Sequence, residues 1–144
     1  MKSLFQFWQT WAVLSAASAA MTAILAKVGV EAISSDLATF IRTAVVLALA
    51  AFVVSIGGGF AQMSAVPGRT WLFLALSGLA TGASWLCYFR ALKLGDASRV
   101  APIDKLSVVF IAIFAAFFLG ERLSPQGIAG VALIATGAML IAWQ

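Results

Sequence analysis

Residues 37–56 read Leu-Ala-Thr-Phe-Ile-Arg-Thr-Ala-Val-Val-Leu-Ala-Leu-Ala-Ala-Phe-Val-Val-Ser-Ile, a run broken by a single charge, Arg42. A helix needs about 20 apolar residues to cross the hydrocarbon core of a bilayer. This run meets that length without a Pro or Gly inside it. Four other stretches of the chain reach a comparable apolar length, over about 11–30, 70–92, 100–119 and 125–143, each with a Gly or Pro inside it. The reading is an all-α integral membrane fold of five transmembrane helices, one domain over residues 1–144.

The composition agrees. Of 144 residues, 63% are hydrophobic and 10% charged, where a soluble domain carries roughly 25% charged residues. The mean hydropathy is +1.07. A net charge of +4 does not signal nucleic acid, because the cations stand singly between apolar runs rather than on one basic face. The chain has no His, which removes His-ligated metals, Ser-His and Cys-His nucleophile pairs and His proton relays. The lone Cys87 forms no intrachain disulfide, and its apolar setting predicts a packing role. No cofactor, no metal and no enzymatic activity are expected.

The connections are short and carry helix punctuation. Ser34-Ser35-Asp36 offers N-cap oxygens to the second helix, and Ser124-Pro125 does so for the fifth. Gly57-Gly58-Gly59 ends the second helix and Pro67-Gly68 precedes the third. Trp8, Trp11, Trp71 and Trp143 fall at segment ends, where an aromatic belt places them. Lys2 and Ala17-Ser18-Ala19 imitate a signal peptide, but apolar sequence continues to Val30, so a retained first helix is expected.

Charge is distributed unevenly. Call face A the side of the N-terminus and of the loops after the second and fourth helices, and face B the other. Lys2, Arg69, Glu121 and Arg122 belong to face A, and the remaining ten of the fourteen charges to face B. Lys27, Arg42, Asp104 and Lys105 lie within helices, Arg42 roughly 7 Å past Leu37 at about 1.5 Å per residue. Intramembrane charge is costly and marks function by default. These four are expected to share a polar vestibule opening on face B, with Asp104 paired to Lys105, Lys27 or Arg42. Three cations against one anion lean toward an anionic or zwitterionic ligand. Individual snorkelling of Lys and Arg is the competing explanation. With Lys27, Arg42 and Lys105 pointing inward, three Lys/Arg remain on each face, the even count of a chain that inserts in both orientations.

Two further patterns are readable. Thr81, Trp85 and Tyr88 form one stripe of the third helix, which either packs against another helix or lines a substrate path; Trp85 and Tyr88, with Ser107, are the candidate contacts. Gly78 and Gly82 form a GxxxG, and Gly130 and Gly137 stand a heptad apart. Such faces let membrane helices approach closely, within one chain in preference to between chains.

Tyr88-Phe89-Arg90-Ala91-Leu92, Gly95-Asp96-Ala97-Ser98, Ala101-Pro102-Ile103-Asp104-Lys105-Leu106-Ser107 and Leu119-Gly120-Glu121-Arg122-Leu123-Ser124 together resemble the EamA-like half of the drug/metabolite transporter superfamily. Ala26-Lys27-Val28-Gly29 and Ala38-Thr39-Phe40-Ile41-Arg42-Thr43 match more loosely, so the resemblance covers essentially the whole chain. Most members of that superfamily look like two such repeats in ten helices. This chain looks like the small five-helix bacterial and archaeal branch, and it departs from the ten-helix pattern at Val108, where a Pro is common.

The resemblance implies a multi-pass carrier of a small metabolite in the bacterial inner membrane. Repeats of inverted topology would rock around a central site, and an antiparallel homodimer of dual topology would stand in for the ten-helix chain. A cation exporter of the small multidrug-resistance type is disfavoured, since residues 11–30 hold no Asp or Glu. The alternative of a different class is an accessory or scaffold subunit. Membrane lipid is an expected partner and nucleic acid is not.

Overall fold

A computed structural model describes residues 7–143, and every regular element among them is helical. In chain order these are α1 (Trp8–Glu31), α2 (Ser35–Ile56), a 3-10 segment (Gly59–Ala65), α3 (Gly68–Leu94), α4 (Ala97–Asp104), α5 (Ser107–Phe114), a π-helical turn (Ala115–Leu119) and α6 (Pro125–Ala142). Five spans are long and apolar enough to cross a membrane: α1, α2, α3, the composite Ala97–Leu119, and α6. The all-helical, five-span expectation therefore holds. Lys2 lies outside the described residues.

Local chemistry explains the boundaries. Ser34 Oγ accepts from the Leu37 N–H at 3.3 Å and Ser124 Oγ from the Gly127 N–H at 3.1 Å, each satisfying a donor that the first helical turn leaves without a partner. Pro125 fills the first helical position, where its missing N–H costs nothing. Gly58 and Gly120 take the left-handed conformation, φ 67° and 68°, which reverses the chain after α2 and after the π turn without a Cβ clash. The N–H groups of Gly120 and Glu121 both return to the Ala115 carbonyl.

The fourth span is not the continuous helix that its hydropathy predicts. Pro102 presents no N–H to the Ser98 carbonyl. Between Lys105 and Val109 the ladder then tightens to i→i−3 bonds, with Lys105 N–H on Pro102, Leu106 on Ile103, Val108 on Lys105 and Val109 on Leu106. An apolar count is blind to this joint because none of the residues in it needs to be polar.

The chain divides into two compact units, residues 26–93 and residues 1–25 with 94–144. In the first unit, Val30 and Leu92 are wholly buried, and Ala26, Ala38, Thr39 and Phe89 nearly so. Ala26 and Ala38 are small residues, the type that lets membrane helices pack closely. All six residues lie near face B, at the end of α1, the start of α2 and the end of α3. Residues 43–56 of α2 and 68–88 of α3 contain no buried position. Burial in this unit is thus confined to its face-B end. In the second unit, α6 lies against α4 and α5, and Ala138 is buried. Large apolar side chains such as Leu47, Leu79 and Leu133, 70–74% exposed, are the surface a lipid chain solvates.

Cys87 is exposed, so the packing role expected for it is not made within the chain. An added Cβ on Gly78, Gly82, Gly130 or Gly137 meets nothing within 4 Å. Gly82, Gly130 and Gly137 are half-buried and Gly78 is exposed.

Candidate functional site

Arg42 lies seven residues inside α2, about 10 Å from its start at Ser35 at roughly 1.5 Å per residue. Its guanidinium carbon sits 4.0 Å from the centroid of the Trp85 ring and 5.6 Å from that of Phe89. Trp85 and Phe89 are four residues apart on α3, hence on one face, and they offer their π clouds to the same cation. A charge at the bilayer centre costs about 2.5–3.5 kcal/mol, less toward the edge. A desolvated cation–π contact returns up to about 2 kcal/mol. At this depth the two rings offset most of the cost of keeping Arg42 ionised in the membrane. Among the described residues Arg42 forms neither an ion pair nor a hydrogen bond, so the in-plane N–H donors of its fork have no protein acceptor.

Three other face-B cations have structural duties. Lys27 Nζ donates to the Leu92 carbonyl at 2.9 Å, Lys93 Nζ donates to the Ile33 carbonyl, and Arg99 donates to the Ala142 carbonyl at 3.2 Å. Leu92 and Ala142 close α3 and α6. There the last four carbonyls lack intrahelical partners and the dipole is negative, so a cation is favoured. Of the four charges that sequence reading places in a vestibule, Lys27 is the one that also serves a helix end.

Lys27 and Arg42 fall in the first unit, Asp104 and Lys105 in the second. Asp104 and Lys105 pair with each other at 3.4 Å, with side chains 39% and 56% exposed. They mark the joint between α4 and α5, and Ser107 opens α5 beside them. The second unit also contains a groove of about 510 Å³ between α5, the π turn and α6. Its walls include Val109, Ile113, Phe117 and Val131, and Glu121 and Arg122 stand at its rim.

Of the stripe singled out on α3, Trp85 lies under Arg42, Tyr88 packs its ring edge-on to Phe89 at 6.5 Å between centroids, and Thr81 returns its hydroxyl to the Ser77 carbonyl at 2.9 Å. Phe89 is the residue that sequence reading missed. Its spacing of four from Trp85 was the available signal, and the polar tip of Tyr88 drew attention to the neighbouring row. No group of three or more His, Cys, Asp or Glu side chains among the described residues is placed to hold a metal ion.

Comparison with known proteins assigns this arrangement a family. The model of the EamA-like transporter family matches residues 6–143. A Sinorhizobium sp. protein named "Uncharacterized transporter in cobO 3'region" is 64% identical over 137 residues, covering 95% of this chain and 97% of the relative. No solved structure matches.

Proposed function

We propose, since the chain belongs to the EamA-like transporter family, that it carries a small metabolite across the bacterial inner membrane by alternating access, as a homodimer. The observation that carries this reading is the match of one transporter-family model to nearly the whole five-span chain. Residues 1–144 are read as a single repeat. Transporters built from inverted repeats place substrate where the repeats meet, near the midplane. Five crossings put the two ends of the helical set on opposite faces. Two copies inserted the same way therefore cannot form an inverted pair, whereas an antiparallel pair can. The faces of Gly78-Gly82 and Gly130-Gly137, where an added Cβ meets nothing within 4 Å, suit contact with a second copy.

In this reading Arg42, Asp104 and Lys105 set charge selectivity, and Lys27 adds positive potential while it caps α3. Trp85, Tyr88 and Ser107 contribute contacts along the path. The test is counterflow of pooled metabolites into proteoliposomes. Saturable flux that is lost in Asp104→Asn supports the carrier. Absence of flux, together with a stable membrane partner recovered on pull-down, favours a scaffold subunit instead. Reporter fusions at the C-terminus test the antiparallel pair, which falls if every fusion reports the same side.

A further inference from the structure

We propose that Arg42, held on the faces of Trp85 and Phe89, is the docking point for a small carboxylate anion, and that such anions are the class of cargo; the second half of this statement rests on the transport reading above.

The first argument concerns which cation is available. In the unit of residues 26–93, Lys27 and Lys93 donate to the backbone carbonyls of Leu92 and Ile33. Arg69 sits at the start of α3 beside Phe73, and Arg90 is exposed one turn from the end of α3. Arg42 alone combines depth in the span, partial burial and a fixed orientation.

The second argument is geometric. A guanidinium whose central carbon sits over a ring carries five N–H donors in the plane of its fork, and no protein acceptor among the described residues takes those of Arg42. That fork matches two oxygens of one carboxylate. The acidic residues of this unit, Glu31 and Asp36, stand at helix ends, and neither pairs with Arg42. This unit thus supplies the rings that hold the fork and no carboxylate paired with it. A lysine at this position would offer a point charge without that two-point match.

The third argument is access. Burial in this unit is confined to its face-B end, while residues 43–56 of α2 and 68–88 of α3 are without buried positions. Arg42 and Trp85 stand at the boundary between the buried and the exposed portions and are each half-buried, so part of the guanidinium is left uncovered by this unit.

The test uses the purified full-length chain in detergent, titrated with benzoate and succinate, each compared with its neutral amide. Melting temperature and tryptophan emission are followed. Carboxylates are expected to bind and the amides not. Arg42→Gln should weaken carboxylate binding at least tenfold and Arg42→Lys should restore part of it. Trp85→Phe should abolish most of the emission change while keeping the preference for anions. Arg122→Gln, at the groove rim, should bind as the parent does. Where Arg42→Gln fails to fold, Arg42→Lys and Trp85→Phe decide the matter. Binding by Arg42→Gln equal to the parent, equal binding of amides, or loss of binding in bilayers containing anionic lipid each overturns the proposal, the last by assigning the fork to a headgroup phosphate. Flux separates this inference from the one before it. Arg42-dependent binding without transport removes the carrier reading alone, whereas saturable flux of cations or neutral solutes that survives Arg42→Gln removes the carboxylate dock alone.

Discussion

Leu92→Ala isolates the contribution of packing to this bundle. Leu92 has no exposed surface, one helical turn from Phe89 and against a core of Val30, Ala26 and Ala38. In a water-solvated core a Leu→Ala change costs about 2.7–5.0 kcal/mol. Part of that is transfer of the deleted carbons from water, about 0.8 kcal/mol per methylene and so roughly 2.4 kcal/mol for three. Inside a bilayer the dissociated helix keeps its leucine among lipid tails, and the transfer contribution largely vanishes. The remainder, about 0.3–2.6 kcal/mol, is the vacancy itself. Leu92 lies two residues from the end of α3, where the dissociated side chain meets headgroups and some transfer contribution survives. The expected loss is about 2 kcal/mol. Reversible unfolding in mixed micelles, by titration with a denaturing detergent, measures it. Leu79→Ala, on a 71% exposed side chain, is the control and should change stability by less than about 0.5 kcal/mol. Equal losses at the two positions would show that residues 26–93 do not form the core described.

Lys27→Met should cost about 1–2 kcal/mol in the same assay, because the Leu92 carbonyl loses a charged donor while the removal of an ammonium from the span returns part of that. Gly120→Ala should cost about 1–2 kcal/mol through its left-handed conformation, and Gly120→Asn less, which thermal unfolding in detergent resolves. Asp104→Asn should shift stability by no more than about 1 kcal/mol, since the pair with Lys105 is partly exposed, yet it should remove saturable proteoliposome flux if the charge lines the path. A large stability loss in Asp104→Asn would assign that pair a structural role instead.

The sequence reports whatever the bilayer imposes. Hydrocarbon thickness fixes span length, so five spans are countable from apolar runs. The caps of α2 and α6 are legible too, because Ser34 and Ser124 act on N–H groups three residues away. The joint at Lys105–Val109 has its signal in Pro102, whose missing N–H a count of apolar residues does not register. At the candidate site, Arg42 and Trp85 are both conspicuous in an apolar chain, but their stacking depends on how α2 meets α3, which no local spacing encodes. Lys27 misleads for a related reason. Its partner is a backbone carbonyl, and every residue has one, so nothing in the sequence marks Leu92 as the acceptor.

The division of the chain into residues 26–93 and residues 1–25 with 94–144 also has a consequence for synthesis in the cell. The first unit is continuous, and all its helices exist once residue 93 has been inserted. The second joins the beginning of α1 to α4, α5 and α6, so it waits for residues 94–144. At roughly 5–20 residues per second that interval is about 3–10 s. During it all residues of the first unit are present, the Lys27 and Lys93 contacts to Leu92 and Ile33 included, while the second unit is still incomplete. The order of assembly at the translocon is therefore written into which residues share a unit, and membrane chaperones that shield unpaired helices would meet this chain at α1.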